Sequence, residues 1–327
     1  MLNVNPIAVE LKQLIQLRYY SNRINLSHAF SRHKKSMSAL SGQHFSPFKG
    51  RGLDFDEVRP YQAGDDPRSI DWNVTARTNK VHSKIFKEER ERTVFIVVDF
   101  NPSMYFATRG MLKTVMASQI ASLIAWAGAD NHHRIGGLVF CGQQHFEIKP
   151  RGGHKGVLQL LKLLSHSHET WFQHGQRPAD YQATDVGLLF KRLKKIIHSG
   201  SLILFASDFQ FAPEKILENM HYLSRHNDFI ASFIYDAMEQ QLPPAGQYAL
   251  TDGAKIQQLN TDNARYRQQY QQHFIQQQQF LAQQCQQQGI HFMPIATHEQ
   301  AIDTLNNNIG KKSPTQRSLN TGLKLKV

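Results

Sequence analysis

Thr93-Val94-Phe95-Ile96-Val97-Val98 runs directly into Asp99-Phe100-Asn101-Pro102-Ser103. The first six residues are β-branched or aromatic without a break, the composition of a strand buried on both faces in a parallel sheet. Ser201–Ala206 is a second run of the same kind and ends in Ser207-Asp208. Periodicity predicts further strands at Arg134–Phe140, His145–Ile148, Phe229–Tyr235 and Phe292–Ile295. It predicts helices at Met111–Ala129, Lys155–Leu164, Asp185–His198, Pro213–Arg225, residues 262–288 and His298–Asn308. Strands alternating with helices imply an α/β fold: a doubly wound, mostly parallel sheet with helices on both faces. Ligands of such sheets bind at the carboxyl ends of the strands, where the strand order reverses.

Those ends carry an oxygen-rich set. Asp99, Asn101 and Ser103 follow the first strand, Thr184 precedes the helix that starts near Asp185, and Asp208 follows the Ser201–Ala206 strand. Hard oxygen donors of this kind suit Mg²⁺ or Mn²⁺, which want about six oxygens, several of them water. Spacing alone is equally compatible with turn and cap duty: Ser103 and Thr184 as N-caps, Asn101-Pro102 as a turn.

Upstream lies a segment dense in charge and aromatic groups. It reads Gly50-Arg51-Gly52-Leu53-Asp54-Phe55, then Val58-Arg59-Pro60-Tyr61, then Gly64-Asp65-Asp66-Pro67-Arg68-Ser69-Ile70-Asp71-Trp72, followed by Thr75-Ala76-Arg77 and Glu88-Glu89-Arg90-Glu91. Arginines interleaved with aspartates predict bidentate ion pairs that lock the segment, with Tyr61 and Trp72 packed beneath. The alternative reading of the same residues is a partner-recognition surface.

Two resemblances follow from these residues. Asp99, Ser103, Thr184 and Asp208 resemble the metal-ion-dependent adhesion site (MIDAS) of von Willebrand factor A-type domains, whose pattern is Asp-x-Ser-x-Ser, Thr and Asp; Asn101 departs from it, standing where that family has Ser. Residues 40–300 resemble the bacterial domain-of-unknown-function 58 family (DUF58), whose members carry the Arg/Asp-rich segment just before such a fold. Asp236-Ala237-Met238-Glu239 departs from that family's Asp-Pro-x-Glu, whereas Leu242-Pro243 and Gly246 fit. The resemblance implies a non-enzymatic, chaperone-like scaffold whose Mg²⁺ or Mn²⁺ bridges to a partner carboxylate. It also implies a MoxR-type AAA+ ATPase, or that ATPase's client, as partner in assembling or activating other complexes.

The expected organisation is an N-terminal helical extension over 1–40, the Arg/Asp-rich signature segment packed on the core over 41–92, a von Willebrand factor A-like domain over 93–310, and a basic, disordered tail over 311–327. The Gln-rich stretch 268–288 reads as one helix with a solvated polar face, because Tyr266, Tyr270, Phe274, Leu281 and Cys285 recur at helical spacing. Net charge is +12, with the excess at the two ends of the chain. The runner-up functions are a metal-dependent hydrolase and a basic nucleic-acid binder. Against the first, the chain shows no nucleophile elbow, and Gly152-Gly153-His154-Lys155-Gly156 lacks phosphate-loop order. Against the second, it shows no nucleic-acid-binding signature beyond charge. Two distant cysteines, Cys141 and Cys285, predict neither disulfides nor a thiolate site. Apolar runs of strand length predict no membrane span, and the expected location is cytoplasmic.

Overall fold

A computed structural model describes residues 5–26, 53–62, 64–88, 91–171, 181–210, 213–251 and 256–309. The segments 27–52 and 311–327 lie outside them, and with them part of the N-terminal extension, the Gly50-Arg51-Gly52 start of the signature and the basic tail. The chain forms two compact units, one of residues 39–91 and one of residues 1–38 with 92–327.

The smaller unit is an antiparallel hairpin, β1 (Leu53–Pro60) and β2 (His82–Glu88). Between its strands comes a short helix, α3 (Trp72–Thr78), numbered after α1 (Leu11–Gln16) and α2 (Arg18–Ser21) of the larger unit. Asp71 starts this helix as its N-cap, its carboxylate accepting from the Asn73 and Val74 amides at 3.0 and 3.2 Å.

The larger unit contains the predicted sheet. Its strands are β3 (Thr93–Asp99), β4 (Arg134–Cys141), β5 (Gln144–Gly152), β6 (Leu202–Ser207), β7 (Asp228–Tyr235) and β10 (His291–Ala296), in the order β10-β7-β6-β3-β4-β5. All pairings are parallel except β4–β5. The predicted strand at His145–Ile148 is thus longer than expected and runs antiparallel at the sheet edge. A hairpin of β8 (Gln247–Thr251) and β9 (Ile256–Asn260) also goes beyond the sequence reading. From β3 the chain winds one way through β4 and β5 and the other way through β6, β7 and β10. The reversal therefore falls between β3 and β6, whose ends carry Asp99 and Ser207-Asp208.

Residues Val94–Val98 of β3 are all fully buried, which is why that run has no polar alternation. One face packs on α4 (Lys113–Asp130) and α5 (Gly153–Trp171). The other packs on α6 (Val186–Ile196), α7 (Pro213–Ser224) and the buried residues Phe274, Leu281 and Cys285 of α9 (Ala264–Gln287). Those three residues make the single apolar stripe of the Gln-rich helix, while Tyr266 remains exposed. Both cysteines are buried thiols. Among the described residues no helix is long and apolar enough to cross a membrane.

Every residue of α4 from Lys113 to Ala129 is buried. A helix covered on all sides needs a second cover opposite the sheet, and the N-terminal segment supplies it. Val9, Leu14, Leu17, Ile24 and Leu26 join the same core. Helix side chains then satisfy backbone carbonyls of that segment: Ser122 Oγ and Trp126 Nε1 donate to Leu14 O at 2.8 and 3.2 Å, and Ser165 Oγ donates to Val9 O at 2.9 Å. His168 Nε2 lies 3.1 Å from Ile7 O, a contact that requires the proton on Nε2.

Burial pulls the His168 pKa down to about 4, against a smaller upward pull from the Ile7 carbonyl. Because the folded value is depressed, the stability this neutral ring contributes is complete above the unfolded value of about 6.5 and is lost as pH falls towards about 4. Urea unfolding of wild type and His168→Gln from pH 7.5 to pH 4 is expected to show wild type losing up to about 3 kcal/mol relative to the variant. Parallel pH profiles would contradict a buried neutral histidine.

Candidate functional site at the strand ends

Asp99 is fully buried at the end of β3. Its Oδ1 accepts from the Asn101 amide at 2.8 Å, closing an Asx turn, and its Oδ2 accepts from Ser207 Oγ at 2.7 Å. Ser207 Oγ in turn accepts from the Phe209 amide at 2.9 Å. This holds the β6 exit in a tight turn where Phe209 has φ 54°, a left-handed conformation that costs a bulky residue about 1 kcal/mol or more.

Asn101 is 3% exposed. Its Oδ1 accepts from the Gly142 amide at 2.8 Å, Thr184 Oγ1 at 3.0 Å and Tyr181 hydroxyl at 3.3 Å. The Gly142 N–H can only donate, so it fixes which end of the Asn101 amide is oxygen. The Nδ2 is left buried with no partner among the described residues. Asn101 therefore joins three loops: the β3 exit, the β4–β5 turn and the approach to α6. Asp185, not Thr184, caps α6, accepting from the Leu188 amide at 3.1 Å. Ser103 sits in a 3-10 turn, Pro102–Met104, half-buried.

The other carboxylate of the expected set, Asp208, meets a residue that sequence reading passed over. Lys113, the first residue of α4, is fully buried, and its Nζ lies 2.9 Å from Asp208 Oδ2 and 2.6 Å from Glu239 Oε1. Glu239 also accepts from Gln210 Nε2 at 2.8 Å and, through Oε2, from the Asp236 amide at 2.8 Å. The latter bond is half of a capping box on α8 (Ala237–Gln240). Asp236 receives Thr108 and Thr297 as well, with Thr297 Oγ1 at 2.7 Å. The Asp-x-x-Glu spacing of 236–239 was the available signal for this clamp. Nothing in the local sequence marks Lys113 as its cation.

Electrostatics follow the packing. Burial, with the nearby Asp208 carboxylate second, pushes the Asp99 pKa up to about 8. Burial pulls Lys113 down, but Asp208 and Glu239 outweigh it and hold the ammonium above the usual lysine value. Burial likewise pushes Asp236 up, and the Thr108, Met238 and Thr297 hydrogen bonds outweigh it, leaving that carboxyl below the usual range.

The expected ligands Asp99, Asn101, Ser103, Thr184 and Asp208 do converge on one end of the sheet, but Asp99, Asn101 and Asp208 are engaged in ways that do not suit an open Mg²⁺ or Mn²⁺ site. Both Asp99 oxygens are engaged, and Asn101 Oδ1 already accepts three hydrogen bonds. The remaining Asn101 group is a nitrogen donor, and Asp208 is paired to an ammonium.

The signature segment is partly paired as expected. Arg59 and Asp65 form an ion pair at 2.7 Å. Asp65 is held below the usual carboxylate range mainly by the Gln62 amide, with Arg59 adding to it. Tyr61 is half-buried and donates through its hydroxyl to Asp65 O at 3.2 Å. Three expectations are corrected. Asp71 caps α3 and has Lys84 at 3.7 Å rather than an arginine. Arg68 and Arg77 are exposed, with no acidic partner among the described residues. Trp72 is 70% exposed instead of packed beneath.

A doubly wound α/β domain with a buried carboxylate cluster at its switch point, preceded by an Arg/Asp-rich unit, defines the class of protein. Residues 57–280 match the family described as "Protein of unknown function DUF58", and the chain belongs to that family. Relatives from Mycobacterium bovis and Mycobacterium tuberculosis, each described only as an uncharacterized protein, are 26% identical over 219 residues. The alignment covers 67% of this chain and 66% of theirs. No solved structure matches the chain.

Two substitutions test this geometry. Gly142 has φ 59°, and a Cβ there would lie 2.1 Å from Gln182 O. Gly142→Ala is therefore expected to cost about 1–3 kcal/mol in urea unfolding, and an unchanged midpoint would disprove the close approach. For Asp99 the folded pKa is raised, so the stability it contributes is complete below about 4 and is lost as pH rises towards about 8. Wild type should lose stability relative to Asp99→Asn across that window, and a constant difference between them would contradict the raised value.

Proposed function

We propose that this protein is a non-enzymatic interaction module that works with a MoxR-type AAA+ ATPase, or a client of that ATPase, in the assembly or activation of other complexes. The observation that carries the reading is the exposure of Trp72 on the signature unit, with Arg68 and Arg77 also exposed there. Tryptophan and arginine are the residue types that anchor protein interfaces most often. A solvent-facing tryptophan costs apolar exposure unless a partner covers it. The two guanidinium groups suit an acidic face on that partner. The burial of Asp99 and Asp208 and their engagement by protein donors support a binding role over hydrolysis. The choice of ATPase as partner rests on the family resemblance.

The test is retention of the MoxR-type ATPase on the immobilised full chain, with ATP or ADP present. Trp72→Ala is expected to weaken retention by about tenfold or more, and Arg68→Ala with Arg77→Ala to make the remaining binding less salt-sensitive. The thermal midpoint should stay unchanged, because Trp72 packs on little. Full retention by Trp72→Ala would exclude Trp72 as an anchor, and no association in either nucleotide state would exclude the partner.

A further inference from the structure

We propose that the strand-end site carries its own cation, the Lys113 ammonium paired to Asp208, instead of a divalent metal, and that the loops around it are held in position without metal. This goes beyond the interaction role and stands independently of it.

The argument starts from where Lys113 lies. It is the first residue of α4, at the helix end where the backbone dipole is positive and a cation is disfavoured. It is also 0% exposed, and an unpaired ammonium there would lose its proton or unfold the site. Two carboxylates on different elements, Asp208 after β6 and Glu239 in α8, close on it at 2.9 and 2.6 Å. A lysine that breaks both a helix rule and a burial rule is held by those partners, which is the pattern expected of a dedicated position.

The geometry also disfavours a second cation. Mg²⁺ surrenders water reluctantly and needs oxygens with free lone pairs. At this site each Asp99 oxygen already accepts one hydrogen bond, from the Asn101 amide and the Ser207 hydroxyl, Asn101 Oδ1 accepts three, and the buried Asn101 Nδ2 presents hydrogens rather than a lone pair. A divalent ion beside Asp208 would meet a fixed positive charge in a low-dielectric interior, where like-charge repulsion is strong. The ammonium also does mechanical work that a diffusible ion would otherwise do. Through Lys113 it ties the start of α4 to the β6 exit and to α8. Through Glu239 and Asp236 the tie extends to the Thr108 and Thr297 loops.

The experiment is a Mn²⁺ titration of the full chain followed by electron paramagnetic resonance, with thermal midpoints measured in EDTA and in excess Mg²⁺. Wild type is expected to show no saturable Mn²⁺ site and the same midpoint in both conditions. Lys113→Met frees Asp208 and Glu239, and it should gain a Mn²⁺ site at least about tenfold tighter than any wild-type binding. That site should vanish again when Asp208→Asn is added. A saturable wild-type site lost in Asp99→Asn, or a midpoint that rises with Mg²⁺, would overturn the proposal. So would a folded Lys113→Met protein that takes up no Mn²⁺. Should Lys113→Met fail to fold, the wild-type measurements decide the question, and Glu239→Gln adds a check: it should lower the midpoint in EDTA and Mg²⁺ alike, whereas rescue by Mg²⁺ would overturn the proposal.

Discussion

A lysine ammonium with no solvent exposure, held between Asp208 and Glu239, governs the arrangement at the carboxyl ends of the sheet. Removing such an ion pair from water costs several kcal/mol per charge, and Coulomb attraction returns that only when the geometry is good and the other lone pairs are satisfied. Here they are: Glu239 accepts from Gln210 and the Asp236 amide, and Asp208 from the Gln210 amide at 3.2 Å. The pair therefore fixes position more than it adds stability. It joins the first turn of α4 to the exit of β6, which lie at the point where the strand order reverses.

Asn101 does the complementary task on the other side of that reversal. Its carbonyl oxygen gathers the β4–β5 turn and the approach to α6, while the neighbouring Asp99 holds the β6 exit through Ser207. An oxygen set of the adhesion-site type thus serves here as an internal hydrogen-bond hub. The substitution of Asn for Ser at 101 fits that use. An amide oxygen on a longer side chain reaches three donors at once, as a serine hydroxyl on its shorter stem would not.

The signature unit divides its charged and aromatic residues differently. Arg59 and Asp65 are spent on each other, and Asp71 is spent on capping a helix. Trp72, Arg68 and Arg77 remain on the surface. Paired and exposed residues are therefore interleaved within about twenty positions, which is why the segment does not read as uniformly locked by ion pairs.

The sequence by itself determined the α/β class, the six strands of the central sheet with the helices that cover it, and the single apolar stripe of the Gln-rich helix. These follow from hydrophobic period, which local chain geometry imposes. It also brought Asp99, Asn101, Thr184 and Asp208 into view as one constellation, because side chains at the carboxyl ends of parallel strands share one edge. Tertiary structure alone decided the antiparallel direction of β5, the cover that residues 5–26 place over α4, and the partner of each charge. A lysine among apolar helix residues looks like an ordinary exposed cation until packing removes its water. Its two partners lie 95 and 126 residues away along the chain, and no local pattern encodes a pairing across that distance.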